Sequence, residues 1–234
     1  MKIAIMQPYI FPYLGYFQLI NAVDKFIVYD DVNFIKQGWI NRNTILVNNL
    51  PYLFTIPLNN QSSFSKIKDI KIHDKLYQGW CYKFLKTVEQ SYNRAPFFEK
   101  VFPLIDDILK LHQNNISALA VKSLKLVSNY IGLSTEFEVS SSIYNNQNLT
   151  SQDRILDICI AEKTNHYINP IGGRELYSKE TFLEKGIILN FIKSKDVEYK
   201  QFNNNFLPNL SIIDVLMFNN SHEIIHFLNN YELI

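Results

Sequence analysis

Cysteine is scarce in this sequence, and long apolar runs are missing from it. The two cysteines, Cys81 and Cys159, stand far apart in apolar stretches. That spacing excludes a disulfide framework or a cysteine-based zinc site, and it predicts two buried free thiols in a reducing compartment. No run of 18 apolar residues occurs, so no membrane insertion is expected. The apolar run at the N-terminus is too short for a secretory signal, and a cytoplasmic protein is therefore expected.

An excess of charge of one sign is also lacking. The 23 Lys and Arg residues nearly balance the 22 Asp and Glu residues, which leaves a net charge of +1. A dedicated nucleic-acid binder shows a basic excess, so no DNA partner is predicted. Arginine is rare, with only Arg42, Arg94, Arg154 and Arg174 in the chain. Where lysine is the default cation, each retained arginine can mark a place that needs a planar, bidentate donor.

Material for a core is abundant. Hydrophobic residues make up 47% of the 234 residues and aromatic residues 14%, which favours one α/β domain over residues 1–234. The chain opens with a short apolar run at 3–6, a helix-like spacing at 14–22 and a second apolar run at 25–29. Strand, helix and strand in this order favour parallel pairing, because a crossover connection is needed to return the chain to the same sheet edge.

The middle of the chain changes character. Two β-like runs flank Asn48-Asn49, which predicts a hairpin, and the alternation of isoleucine with charged residues over 67–72 predicts a half-exposed strand. Helical spacing then covers about 75–131, with Gly132 as its expected C-cap, before α/β patterns return. The predicted fold class is therefore α/β, with a central, mostly parallel sheet and a helical insertion at about 75–131.

The loop after the first predicted strand is the first candidate site. It begins at Gln7 and runs through two prolines to Gly15 and Tyr16 at the start of the helix. Ligands of open α/β sheets bind beyond the carboxyl ends of strands, and a glycine lets a ligand or another chain segment come close. Gln7 and Gly15 are candidate binding residues and Tyr16 a candidate catalytic residue. The alternative is a stiff structural loop.

The second predicted strand ends in the adjacent acids Asp30 and Asp31. Neighbouring side chains of an extended backbone point to opposite sides, so the two carboxylates are expected to have different surroundings. One of them could bind an amine, a ribose or a cation, or act as a base. Both are candidate catalytic residues, and an acid pair without a role is the alternative.

Two further segments carry arginine beside small or amide residues. In the first, Trp39, Asn41 and Arg42 are candidate substrate-binding residues, since a guanidinium suits a phosphate or a carboxylate. A structural Arg42 paired with Asp30 or Asp31 is the alternative. In the second, Gly172, Gly173 and Arg174 lie between a predicted strand and a helix, where backbone N–H groups can hold an anion. The alternative there is a simple turn.

No metal site is predicted. His222 and His226 stand four residues apart, a spacing that can chelate a metal on a helix, but no acidic residue follows them in a known pattern. The sequence also lacks a G-x-S-x-G segment and a Cys–His signature, so nothing indicates nucleophilic hydrolysis.

Taken together, these motifs resemble the signature of the WbqC-like proteins over nearly the whole chain. The residues that carry the resemblance are Gln7-Pro8, Pro12, Gly15-Tyr16, Asp24, Asp30-Asp31, Asn41-Arg42, Pro57, Trp80-x-x-Lys83, Tyr92-x-x-Ala95-Pro96, Tyr177, Gly186, Tyr199-x-Gln201 and Phe206-x-Pro208-x-Leu210-Ser211-x-x-Asp214. Three positions depart from the family's usual pattern: Tyr13 stands where members often have Trp, Asn33 where they have Gln, and Phe84 where they have His.

The resemblance implies a bacterial protein of O-antigen and surface-polysaccharide synthesis, acting near enzymes that make nucleotide-linked amino sugars. The expected function is a transferase that N-acylates the amine of a nucleotide-linked deoxy amino sugar, with an aminoacyl group as one option for the donor. The donor's activation stays open between a thioester, a charged tRNA and an adenylate, no cofactor is named, and a homodimer is compatible with the sequence.

Two alternatives remain open. The order of strand, Pro-x-x-Gly-Tyr, helix and acid-ended strand is similar to nucleotidylyltransferases and pantothenate synthetases, which implies an ATP-using enzyme. Those proteins hold phosphates with H-x-G-H, whereas Tyr13 or Leu14 and Tyr16 occupy the histidine positions here. The third option is a non-catalytic scaffold of the same pathway.

Overall fold

The computed structural model describes residues 1–59, 61–110, 113–202 and 205–234. The strands are β1 (Lys2–Met6), β2 (Lys25–Val28), β3 (Arg42–Val47), β4 (Leu50–Thr55), β5 (Glu136–Glu138), β6 (His166–Pro170), β7 (Ile188–Ser194) and β8 (Tyr231–Leu233). The α-helices are α1 (Leu14–Asn21), α2 (Asp74–Tyr92), α3 (Phe98–Lys110), α4 (Ile116–Ile131), α5 (Ser151–Ala161), α6 (Lys179–Glu184), α7 (Ile212–Phe218) and α8 (Ser221–Leu228).

Six of the strands form a central sheet in the order β5-β2-β1-β6-β7-β8. The first five in this order pair in parallel, and β8 pairs antiparallel with β7. The chain moves outward from β1 through β2 to β5, and then outward on the other side from β6 to β7. Strand order therefore reverses between β1 and β6, as in doubly wound sheets. The predicted α/β class with a mostly parallel sheet is confirmed.

Apolar side chains cover both faces of the sheet, because β1, β2, β6 and β7 alternate between two cores. Ile3 and Ile5 face a core that includes α5 and α6, while Ala4 and Phe26 face a larger core that includes α1, α4, α7 and α8. The chain extends along the sheet in two opposite directions, and the helices of the two directions lie on opposite faces. Both sets of crossovers therefore have the same hand.

The hairpin and the helical insertion appear where the sequence predicts them. β3 and β4 form a two-stranded sheet of their own, and Asn48 and Asn49 make the turn with φ of 50° and 61°. The insertion consists of α2, α3 and α4, and α4 ends at Gly132 with φ of 94°. Leu111 and His112, which the predicted insertion includes, lie outside the described residues.

The strand predicted over 67–72 is wrong. Residues Ile67–Asp69 form a 3₁₀ turn, and only isolated bridges continue from it. Ile67 and Ile70 are both buried. Their spacing of three residues matches one turn of a 3₁₀ helix, although the same segment also shows the alternation typical of a strand. Backbone bonds from Ile67 to Val32 and from Lys68 to Asp30 tie this turn to the chain that follows β2.

Candidate functional site

The five parallel strands end at the same edge of the sheet, and this edge gathers most of the predicted site residues. Asp30 and Asp31 follow β2, Gln7 follows β1, and the Gly172-Gly173 turn follows β6. Parallel strands with a reversal of order leave a crevice at this edge, which is where open α/β sheets bind ligands. The hairpin carries Arg42 and lies outside the central sheet.

The loop after β1 is held from several sides by hydrogen bonds. The buried Tyr16 donates its hydroxyl to the Gln7 carbonyl at 2.6 Å, and burial raises the pKa of Tyr16 well above its ordinary value. The carbonyl of Phe11 accepts from Asn43 Nδ2 at 2.9 Å and from Ser211 Oγ at 2.7 Å. Tyr16 and Gln7 thus contact each other and shape the loop, and a fully buried neutral phenol is poorly placed for proton transfer.

Asp30 is a buried carboxylate that points toward α4, and its hydrogen-bond donors among the described residues are neutral. Its Oδ2 accepts from Ser117 Oγ at 2.8 Å, and its Oδ1 accepts from Ser140 Oγ at 2.6 Å. Burial raises the pKa of Asp30, an effect that these two hydroxyls and the nearby Lys68 partly offset. The raised pKa makes this carboxylate a better proton acceptor than an ordinary aspartate.

Asp31 points toward α5 and lies in a buried ion pair. Arg154 Nη2 lies 2.5 Å from Asp31 Oδ2, with the two side chains 5% and 1% exposed. Gln147 Nε2 donates to the same oxygen at 2.9 Å, and Ser141 Oγ donates to the other. Burial by itself raises the pKa of Asp31, but these hydrogen bonds and the guanidinium outweigh it and hold the pKa below its ordinary value.

Arg154 is the residue that sequence reasoning did not single out. Its guanidinium also lies over the ring of Tyr29, at 4.9 Å, and its Nε donates to Asn146. The scarcity of arginine was the available signal, since Arg154 is one of only four. Its partner could not be read from the sequence, because 123 positions separate it from Asp31.

A cavity of about 540 Å³ opens beside Asp30 at the start of α4. Asp30 is the only acid among its described lining residues, whereas Lys68, Lys122 and Lys125 supply three cations. Lys122 Nζ donates to the carbonyls of Asp107 and Ile108, which fixes its stem and leaves one of its three N–H groups available. The cavity thus combines one buried carboxylate with lysines at a size typical of small-ligand sites.

The Trp39–Arg42 segment is tied to its own loop. Arg42 Nε donates to the Gly38 carbonyl at 3.0 Å, its Nη2 donates to the Gln37 carbonyl, and its guanidinium lies 5.8 Å from the centre of the Trp39 ring. Asn41 is buried and donates to the Ile56 carbonyl at 2.9 Å. The ion pair with Asp30 or Asp31 that was the structural alternative for Arg42 is not formed, since Arg154 pairs with Asp31. Trp39 remains 45% exposed.

The Gly172–Arg174 segment forms a 3₁₀ turn after β6. Gly173 is packed closely, because an added Cβ would lie 2.0 Å from Asn169 Nδ2, while an added Cβ at Gly172 would meet nothing within 4 Å. Arg174 is exposed and borders a separate cavity of about 280 Å³ with Tyr177 and Lys179. Close packing therefore explains Gly173 but not Gly172.

Gly15 lies at the amino end of α1, where β7 comes close. An added Cβ there would lie 2.7 Å from Ser194 Oγ and 2.8 Å from the Tyr13 ring. The absence of a side chain thus permits the helix to approach the end of β7. A side chain at position 15 would therefore require Ser194 or Tyr13 to move.

Cys81 and Cys159 are both free and buried, as predicted. Within residues 1–59, 61–110, 113–202 and 205–234, no three His, Cys, Asp or Glu side chains are grouped so that they could share a metal ion. Across the same ranges, none of the helices combines the length and apolar character needed to cross a membrane.

Comparison with known proteins finds a relative and a family. The chain is 29% identical over 219 residues to "Uncharacterized protein Rv1507c" of Mycobacterium tuberculosis (strain ATCC 25618 / H37Rv), an alignment that covers 92% of each chain. No solved structure matches. The sequence model of the WbqC-like protein family matches residues 7–226, which include the β1 loop, Asp30, Asp31 and Arg154. The chain belongs to the WbqC-like protein family.

Proposed function

We propose that this protein is a transferase that N-acylates the amine of a nucleotide-linked deoxy amino sugar for surface-polysaccharide synthesis in the cytoplasm. The observation that carries the proposal is the Asp30 cavity, in which one buried carboxylate of raised pKa faces a space of about 540 Å³ bordered by three lysines. The amine of such a substrate needs a carboxylate partner, and its diphosphate needs cations. Membership of the WbqC-like family supports the pathway.

Asp30 would act as the base of the reaction. The lone pair of the sugar's amine attacks the carbonyl carbon of the acyl donor, a C–N bond forms, and the bond from that carbon to the leaving group breaks with its electron pair. The amine nitrogen gives up one proton, which Asp30 accepts. Its raised pKa makes it a stronger base than an ordinary aspartate, and the Ser117 and Ser140 hydroxyls hold the carboxyl group in place.

The lysines would bind the nucleotide diphosphate. Lys68 follows the β2 loop, and Lys122 and Lys125 lie on α4, so the cations approach the cavity from two elements. Ammonium groups act on phosphate as point charges, without the planar geometry of arginine. The chain's net charge of +1 disfavours a charged tRNA as donor and leaves a thioester or an adenylate.

Asp31 has a structural part in this proposal. It is 1% exposed and its oxygens are occupied by Arg154, Gln147 and Ser141. A carboxylate of lowered pKa inside an ion pair is a weak base. We therefore propose Asp30 as the catalytic acid–base residue and Asp31 as the residue that fixes the loop after β2.

The test is an acylation assay on the full chain. UDP- and dTDP-linked 4-amino-4,6-dideoxyhexoses are incubated with acyl-CoA thioesters, or with amino acids and ATP, and the N-acyl product is followed by mass spectrometry. We expect Asp30→Asn to lower kcat by at least a hundredfold, as loss of a general base does, with little change in KM. The double variant Lys68→Gln/Lys125→Gln is expected to raise KM instead.

Matched controls come from α3, where Glu99 and Lys100 are exposed and lie outside the cavity. Glu99→Gln and Lys100→Gln should leave both constants unchanged. Full activity in Asp30→Asn would contradict the proposal. Release of pyrophosphate without an acylated sugar would instead favour the nucleotidyltransferase alternative, and unchanged sugar modification in every variant of a reconstituted pathway would favour the scaffold.

A further inference from the structure

The β3–β4 hairpin has one edge that other elements cover. Along β3, the Thr44 carbonyl accepts from Ser211 N at 2.8 Å, and the Leu46 N–H donates to the Tyr92 hydroxyl at 2.8 Å. The backbone groups of Thr44 and Leu46 therefore point away from β4. Because Ser211 and Tyr92 occupy this side of the hairpin, a further strand cannot pair there.

The other edge of the hairpin belongs to β4 and is open. In an antiparallel ladder, residues that lie opposite each other direct their backbone groups either both between the strands or both away from them. Pro51 and Leu53 lie opposite Leu46 and Thr44, and Thr55 follows in the same alternation, so their backbone groups face away from β3. Within residues 1–59, 61–110, 113–202 and 205–234, no hydrogen bond reaches these outward groups.

The open edge is also apolar and uncharged. Leu50, Tyr52 and Leu53 are 66%, 45% and 49% exposed. Residues 43–65 include no Asp, Glu, Lys, Arg or His, although charged residues make up 19% of the chain. Edge strands of monomeric proteins are commonly protected by charged side chains, above all lysine. β4 lacks that protection and stays open to pairing with another strand.

We infer that β4 pairs antiparallel with β4 of a second copy of this chain, about a two-fold axis at Leu53. A two-fold contact uses the same patch on both copies, so any charge near the axis meets a like charge, which is destabilising. The uncharged segment 43–65 removes this repulsion. A partner of different sequence is steered and selected by complementary charge, which this edge does not offer. The absence of charge thus favours a second copy as the occupant.

The available donors and acceptors are compatible with this register. With Leu53 on the axis, the Leu53 N–H of each copy donates to the Leu53 carbonyl of the other, and the Thr55 N–H donates to the Pro51 carbonyl of the second copy. Pro51 has no N–H of its own, so the Thr55 carbonyl gains no donor from it. The same register places Tyr52 opposite Phe54 of the second copy, and cross-strand aromatic pairs stabilise antiparallel sheets.

Pairing of this kind stops at two copies. Each hairpin has one open edge, and the other is covered by Ser211 and Tyr92, so the combined sheet has no edge left for a third copy. β4 has only six residues, and its contact is smaller than the standard interface of about 1,600 Å². We therefore expect a weak, reversible dimer with a Kd on the order of 10 µM. Dimer formation does not depend on the proposed acylation, because the hairpin does not line the Asp30 cavity.

The test is sedimentation velocity of the full chain over a series of concentrations from about 1 to about 500 µM, which brackets that Kd. We expect the sedimentation coefficient to rise from the value of a monomer to that of a dimer. Leu53→Lys brings two like charges to the axis and should raise the Kd at least tenfold. Its melting temperature at a monomeric concentration should change little, because Leu53 is half exposed in the single copy.

Leu183→Lys is the matched control, since Leu183 is 67% exposed and lies on α6, outside the hairpin. This variant should dimerise like the parent. A parent that stays monomeric at the highest concentration would overturn the inference. A dimer of Leu53→Lys as tight as that of the parent would overturn it too, since the copies would then meet at another surface.

Cysteine cross-linking locates the axis without a change of charge. Leu53→Cys brings two thiols together in a hydrogen-bonded antiparallel pair, whose Cα separation of about 5.5 Å suits a disulfide. Diamide, which takes up the two hydrogen atoms of the thiols, should convert this variant to a covalent dimer on a non-reducing gel. Leu183→Cys is the control and should stay monomeric, and the native Cys81 and Cys159 are buried. Cross-linking of Leu53→Cys no faster than that of Leu183→Cys would show that the copies do not pair at Leu53.

Discussion

Asp30 and Asp31 are adjacent in the chain and bind opposite layers of the protein. Asp30 accepts hydrogen bonds from Ser117 on α4 and Ser140, whereas Asp31 forms a buried ion pair with Arg154 on α5. The two carboxylates consequently shift their pKa values in opposite directions. One strand end thus supplies both a candidate base and the ion pair that holds it in place.

The first prediction compares neutralisation of the two acids. Asp31→Asn leaves the Arg154 guanidinium buried without its counter-charge, so it should lower the free energy of unfolding by about 3–5 kcal/mol. Asp30→Asn keeps neutral hydroxyl partners and removes a charge that burial disfavours, so its stability at pH 7 should stay within about 1 kcal/mol of the parent or rise. Urea unfolding of both variants measures this, and equal losses would contradict it.

The second prediction concerns acid unfolding. The pKa of Asp31 is lower in the folded protein than in the unfolded chain, so its contribution is complete above the unfolded value of about 3.9. That contribution is lost as pH falls through the folded pKa. The stability difference between the parent and Asp31→Asn should therefore be constant from pH 7 to about 5 and shrink below about pH 4. Melting curves at stepwise pH measure the difference, and a gap that stays constant to pH 2 would argue against the ion pair.

The third prediction uses the adjacent glycines after β6. Gly173→Ala should cost about 1–3 kcal/mol, because the new methyl would meet Asn169, whose Oδ1 and Nδ2 are both hydrogen bonded. Gly172→Ala has open space and should change stability by less than about 0.5 kcal/mol. Thermal melts of the two variants measure this difference in stability. If the two glycines instead formed a cradle for an anionic ligand, both variants would lose nucleotide affinity without a difference in stability.

The fourth prediction is about Arg42. Its guanidinium donates to two loop carbonyls, and a lysine cannot reproduce that fork, so Arg42→Lys should destabilise the protein by about 1–2 kcal/mol. The affinity of the Arg42→Lys variant for the nucleotide sugar should not change, because Arg42 does not border the Asp30 cavity. Calorimetric titration beside a melting curve measures both. A tenfold loss of affinity with unchanged stability would return Arg42 to the diphosphate site.

Local patterns in the sequence were sufficient for most of the fold. The apolar runs and the helix-like spacing predicted β1, α1 and β2, and the Asn48-Asn49 pair predicted the hairpin turn. These patterns succeed because burial imposes a period of two or 3.6 residues on neighbouring positions. The segment over 67–72 was predicted incorrectly, because isoleucines at a spacing of three suit a 3₁₀ turn whose form depends on the backbone of Asp30 and Val32.

The sequence by itself determined that Asp30 and Asp31 end a buried strand and face opposite sides, since alternation is a property of the extended backbone. Only the tertiary structure decided which acid is paired and which stands beside a cavity. That choice rests on Arg154 and Ser117, which lie 123 and 87 positions away and reach the acids through the crossovers of the sheet. The free energy of a buried charge depends on the partners and the solvent around it, and these are set by packing between elements distant in the chain.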